Sequence, residues 1–343
     1  MEQHKPISIT FLIGGGASVS LIFLTGEMVI RYGALVGLSL VSAFIIICAI
    51  FIPFIKKQEV RHSWFSRIIH FFYFFEILVI HLFIASTILE SVFHFHILIA
   101  IITSLSLTLF FVFLSRYSSH IPSIFKIMNV TLLFSLAIFL TNYIYLQEGL
   151  ETVYHNLLHY HPEVLHTDYE NQHLVYWVTI GVIFTKCYIQ LPIYEPFSKS
   201  IVGNGISRLL VGGIIYITLI LSFSTMTIVA ITQNLPSDNL NELLILLIKE
   251  KSESFIFLPI MIIFYFLTLI TNAIKYNEYK EAYGRPKKLT LLLLGITNMV
   301  VVYFLFDFQI SFLMTYLYSS LFLFILILLK ACISLIYKIS NNS

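Results

Sequence analysis

ISITFLIGGGASVSLIFLTGE, residues 7–27, opens the first long apolar run of the chain. It sets three consecutive glycines, Gly14, Gly15 and Gly16, where a membrane helix should be most regular. Ala17 and Ser18 follow, and each glycine weakens a helix by about 1 kcal/mol relative to alanine. The cluster has two physical uses. Unwound backbone at this point would turn carbonyls and N–H groups toward a polar ligand, which is tolerable in a bilayer only beside a cavity. Alternatively, an unbroken helix would use the missing side chains to pack closely against a neighbour.

The solvent of this chain is lipid. Of its 343 residues 58% are hydrophobic and 11% charged, and the mean hydropathy is +0.91. Apolar runs of about 20 residues match the length a helix needs to cross hydrocarbon, and none alternates as a barrel strand would. Ten spans are expected, at residues 7–25, 28–55, 66–90, 95–115, 121–146, 174–194, 207–231, 254–275, 289–306 and 310–337. Sixteen of the 20 Lys and Arg residues then fall on the side of the N-terminus, with Arg31, Lys249 and Lys251 opposite and Lys186 inside a span. The positive-inside rule makes that side cytoplasmic, so both termini are expected in the cytoplasm of a bacterial plasma-membrane protein. A net charge of +2 without a basic patch gives no reason to expect nucleic acid as a partner. The N-terminal stretch has no cleavable-signal pattern.

The fold class expected is all-α and polytopic, with about ten transmembrane helices. Dividing at the outer loop 148–173 leaves five spans in residues 1–147 and five in 174–343. Five is odd, so the second set must enter the membrane inverted, the LeuT-like arrangement of inverted-repeat carriers. Gly14 lies seven residues into the first span and Gly181 seven into the sixth, about 10 Å from opposite faces. Hydroxyls accompany both, Ser18 and Ser20 in one and Thr179 and Thr185 in the other. A break at each would place solute-binding backbone in mid-membrane; for Gly181 alone, packing serves equally well. A further outer segment, 235–254, starts a helix near Ser237 and Asp238 that is expected to lie on the outer surface.

The chain resembles the YkvI-like bacterial membrane proteins of the amino acid–polyamine–organocation superfamily. The likeness is carried by GGGASVSLIFLTGEMVIRYG (14–33), YEPFSKSIVGNGISRLLVGG (194–213), FYFLTLITNAIKYNEYKEAYGRPKK (264–288) and FDFQISFLMTYLYSSLFLF (306–324). The chain departs from the family where residues separate GGGAS from TGE. The resemblance implies the LeuT fold and transport of a small-molecule solute. It also implies a coupling cation between the broken first helix and hydroxyls of the eighth span, where Thr268, Thr271 and Asn272 share a helix face. Those side chains would equally bond to their own helix or a neighbour.

Ionisable residues inside spans are functional candidates because lipid makes them costly. Lys186, about 12 Å from the cytoplasmic end of its span, could stand in for a bound cation or relay protons, or snorkel outward. Glu76 is its expected partner. His70 and His81 share a face of the third span with Glu76 nearly opposite, and Glu27 could be functional or interfacial. His155, His159, His161, His166 and His173 crowd one outer loop, which keeps a metal- or haem-binding protein as the rival class, although HNLLH lacks the glutamate of a zinc protease. A sensor built on a transporter fold is the third. Cys48, Cys187 and Cys332 read as structural thiols. No phosphate loop, nucleophile elbow or Asp-rich motif points to an enzyme. The sequence reading is therefore a secondary transporter with no cofactor beyond a coupling Na+ or H+.

Overall fold

The computed structural model describes residues 18–34, 36–43, 45–46, 64–117, 120–165, 172–190, 206–233, 242–284 and 288–340. All regular structure among them is helical: α1 (Val19–Tyr32), α2 (Trp64–Phe93), α3 (Ile97–Tyr117), α4 (Ile121–Glu148), α5 (Leu150–Tyr160), α6 (Gln172–Gln190), α7 (Ile206–Thr232), α8 (Leu243–Lys251), α9 (Ser254–Tyr283), α10 (Lys288–Asp307) and α11 (Phe312–Ser340), with one 3-10 turn at Pro162–Leu165. Seven of these, α2, α3, α4, α7, α9, α10 and α11, contain segments long and apolar enough to cross a membrane. They coincide with the third, fourth, fifth, seventh, eighth, ninth and tenth expected spans. The first part of the first span, including Gly14, Gly15, Gly16 and Ala17, and the last part of the second, residues 47–55, lie outside the described residues.

Two helices form the axis. In α2 and α9, 67% and 61% of the apolar window is buried, against 28% in each of α3, α10 and α11. A helix that is apolar all round belongs inside the bundle, and one half clothed by protein turns its other side to lipid. Since lipid tails are as apolar as leucine, close fit holds the bundle together rather than exclusion of water. Phe83 of α2 meets Phe306 at 4.6 Å and Phe312 at 4.4 Å, both edge-on. Leu243, Leu244, Ile245, Leu247 and Ile248 of α8 are buried, so the expected outer helix is packed into the bundle's end against α7 and α9. The Lys251–Glu148 ion pair joins it to α4.

Two expectations about glycine are corrected. The boundary drawn between the first two spans, at residues 25–28, falls inside α1; the turn comes at Gly33, whose φ of 86° stops the helix. Gly26 lies inside the helix, and its missing side chain lets α7 approach: a Cβ there would meet Thr227 Oγ1 at 3.2 Å. Gly37 does the same further along, with Ser224 Oγ at 2.9 Å from the position of a Cβ. At Gly181 the helix does not unwind: α6 runs unbroken from Gln172 to Gln190, and Thr185 Oγ1 donates to the Gly181 carbonyl at 2.7 Å. A single glycine in an apolar helix leaves its neighbours' backbone bonds intact, and here a Cβ would meet nothing within 4 Å. At the start of α1, Ser18 is extended (φ −146°, ψ 163°) and helix begins only at Val19.

These contacts predict opposite effects of one added methyl group. Gly37→Ala should lower the thermal midpoint of the purified protein, because Ser224 on a packed helix must move. Gly181→Ala should leave it unchanged or raise it slightly, by up to about 1 kcal/mol of helix propensity. A loss of stability in Gly181→Ala would contradict the open space beside it.

Candidate functional site

Glu76 lies near the middle of the 30-residue α2 and is 4% exposed. A carboxylate there survives only if its charge is met. Lys186 of α6 donates to Oε2, forming the ion pair expected from the sequence. Ser319 Oγ of α11 donates to Oε1 at 2.6 Å, and Ser320 Oγ lies 3.3 Å from the same oxygen. The ammonium of Lys186 also faces two aromatic rings, Tyr316 at 4.8 Å and Tyr73 at 5.3 Å from their centroids. Helical spacing makes this possible. Tyr73 and Glu76 are three apart on α2, and Tyr316, Ser319 and Ser320 share one face of α11. Lys186 does not snorkel, because its charge is satisfied within the bundle.

A second buried cluster adjoins the first. Lys275 Nζ donates to Glu278 Oε2 at 3.0 Å, and Lys126 Nζ of α4 lies 3.2 Å from Oε1. Lys275 Nζ also lies 5.9 Å from the centroid of the Tyr73 ring, so that residue stands between the two lysines. Lys126 and Lys275 are 4% and 7% exposed, so two of the sixteen cations assigned to the cytoplasmic surface are internal. Proximity to the ends of their helices concealed this. The sequence signal was available: Lys275 and Glu278 are one turn apart, a turn beyond Thr271 and Asn272.

His70 and Glu76, expected on nearly opposite sides of α2, both reach α6. The His70 Nε2 lies 2.7 Å from the Ile189 carbonyl, in the last turn of α6. Six residues separate the two on α2 by about 120°, and α6 sits in the angle between them. His70 Nδ1 is 2.8 Å from the Tyr283 hydroxyl and 2.7 Å from the Ser66 carbonyl. Burial, reinforced by neighbouring Tyr279, pushes the Tyr283 phenol up to about 12, so it remains a hydrogen-bond donor at neutral pH. His81 Nδ1 is bonded to Ile77 O of its own helix at 2.8 Å. His155 and His159 pack edge to face with centroids 4.2 Å apart on α5. Among the described residues no three His, Cys, Asp or Glu side chains converge as a metal site.

The remaining candidates are dispersed. Thr268 Oγ1 donates to Tyr265 O at 2.5 Å and Thr271 Oγ1 to Leu267 O at 2.7 Å, so both hydroxyls bond back to α9. Asn272 turns the other way, its Nδ2 reaching Thr108 Oγ1 of α3 at 3.5 Å. Thr179 and Thr185 are buried in α6. Ser18 Oγ hydrogen-bonds Ser20 Oγ at 2.5 Å. Glu27 is 2% exposed; it accepts the Leu313 N–H at 2.8 Å, at the start of α11, and Arg31 Nε at 2.8 Å. A carboxylate there meets the positive end of the helix dipole. The alternatives for Glu27 resolve as a buried tie between α1 and α11. Cys332 is exposed.

No protein-family model and no curated protein matches the chain.

Removing one member of the Glu76–Lys186 pair strands the other in low dielectric. Lys186→Met or Glu76→Gln alone should therefore cost stability, about 3–5 kcal/mol for a fully buried pair. The double variant Glu76→Gln/Lys186→Met should recover most of it. A reversed pair, Glu76→Lys/Lys186→Glu, should recover less, because it sets the carboxylate against the faces of Tyr73 and Tyr316. Thermal unfolding of the four proteins in one detergent checks the ranking.

Proposed function

We propose that the protein is a secondary transporter of a small polar, amino-acid-like solute, with the Glu76–Lys186 pair as part of its ion-coupling centre. The observation that carries this is a pair of opposite charges held near the middle of a membrane-type bundle by three helices, α2, α6 and α11. Such charges are costly in lipid and are retained where something charged must pass or a proton must move. The pair is charged when its shared proton sits on the Lys186 nitrogen and neutral when it sits on a Glu76 oxygen. Moving it changes the strength of the α2–α6 link without changing net charge. Tyr73 and the Lys275–Glu278–Lys126 cluster continue the polar path toward the cytoplasmic end of the bundle in the proposed orientation.

The proposed architecture is a ten-span, five-plus-five inverted repeat in a bacterial plasma membrane, with both termini cytoplasmic. The extended backbone at Ser18, directly after the glycine run, supports a solute site at the head of α1. Unbroken α6 limits its contribution there to side chains such as Thr179, or to backbone beyond Gln190. Alternating access would then open and close contacts between α1 and its neighbours α7 and α11.

Reconstituted protein should accumulate at least one member of a panel of amino acids and small amines when a proton or sodium gradient is imposed. Glu76→Gln should lower gradient-driven uptake at least tenfold while leaving solute binding detectable by thermal shift. Binding with no accumulation by the wild type under either gradient would reject transport and leave a sensor.

A further inference from the structure

A separate polar group lies between α3, α9 and α10, and it does not belong to the charged clusters. Thr108 and Asn298 sit midway along α3 and α10, and Asn272 faces them from the core helix α9. Asn272 and Asn298 are each 1% exposed, and Thr108 is 4%. The three line one cavity whose other described walls are apolar side chains, among them Phe74, Leu105 and Leu291, together with Tyr276.

The amides are oriented by their own hydrogen bonds. Asn298 Nδ2 donates to Leu294 O at 2.8 Å, and Asn272 Nδ2 points to Thr108 Oγ1. Both carbonyl oxygens, Asn272 Oδ1 and Asn298 Oδ1, have no hydrogen-bond partner among the described residues. A buried acceptor left unmet costs stability, and two in one cavity of a membrane protein ask for a shared ligand. That ligand must bring positive charge or donors. Anions are excluded, since their charge would face both amide oxygens. Divalent cations want carboxylates, and none lines this cavity; thiolate and imidazole ligands, which softer metals prefer, are also missing from its walls. Neutral, hard oxygens suit an alkali cation. Lys275, the nearest lysine along α9, is held by Glu278 and lines a different cavity.

We propose that Asn272 Oδ1, Asn298 Oδ1 and the Thr108 hydroxyl form a sodium-binding site between α3, α9 and α10. The site deepens the ion-coupled reading above, moving the cation from between α1 and α9, where Thr268, Thr271 and Asn272 were expected to meet it, to between α3, α9 and α10. It binds whether or not a solute is carried.

Thermal unfolding of the full-length protein in detergent, in NaCl, KCl or choline chloride at equal ionic strength, tests the site. Wild type should gain about 2 °C in sodium over choline at a concentration tenfold above the dissociation constant, and less in potassium. Asn298→Leu and Thr108→Val, which remove an oxygen at similar volume, should unfold in choline no lower than wild type and lose the sodium increment. Equal midpoints in all three salts, an equal gain in potassium, or an undiminished increment in both variants would overturn the site. The same preparations tested for uptake separate this proposal from the transport reading. A sodium shift without uptake retains the site alone, and proton-driven uptake without a sodium shift retains transport alone.

Discussion

A carboxylate in the middle of a membrane helix must bring its counter-charge with it, and much of the bundle is arranged to meet that demand at Glu76. Lys186 supplies the charge from α6, two serines of α11 take the second oxygen, and the rings of Tyr73 and Tyr316 clothe the ammonium. Close fit between apolar helices in lipid is weakly selective. The ion pair, unlike leucine packing, has one correct register, and it fixes α6 and α11 against α2.

The same economy of charge recurs in the second cluster. Glu278 lies between Lys275 of its own helix and Lys126 of α4, and Tyr73 links this group to the first. The two ion-pair clusters thus follow one route along α2 and α9, the two most enclosed helices. A bundle built this way confines its costly groups to the place where each finds a partner.

Sequence periodicity and length recovered the helices well, because a 20-residue apolar run has few alternatives in a bilayer. Pairing of Glu76 with Lys186 was legible for the same reason: two stranded charges of opposite sign seek each other. Helix interruptions were harder to read. Gly181 left a break and close packing equally open, yet one glycine does not outweigh the intact backbone bonds around it, and Gly33, at a positive φ, proved to be the terminator. Lys126 and Lys275 looked like surface anchors since they stand near span ends, and only tertiary contact with Glu278 shows otherwise. The amide pair Asn272 and Asn298 could not be matched from sequence, because the two lie on different helices and share a cavity only after packing.

Glu27 has a mechanical consequence. Its carboxylate grips the first turn of α11 from α1, and two turns further along the same rod stand Ser319 and Ser320, which hold Glu76. A tilt of the N-terminal segment is thereby levered onto the central acid through a single stiff strut, with no intervening loop to absorb the displacement.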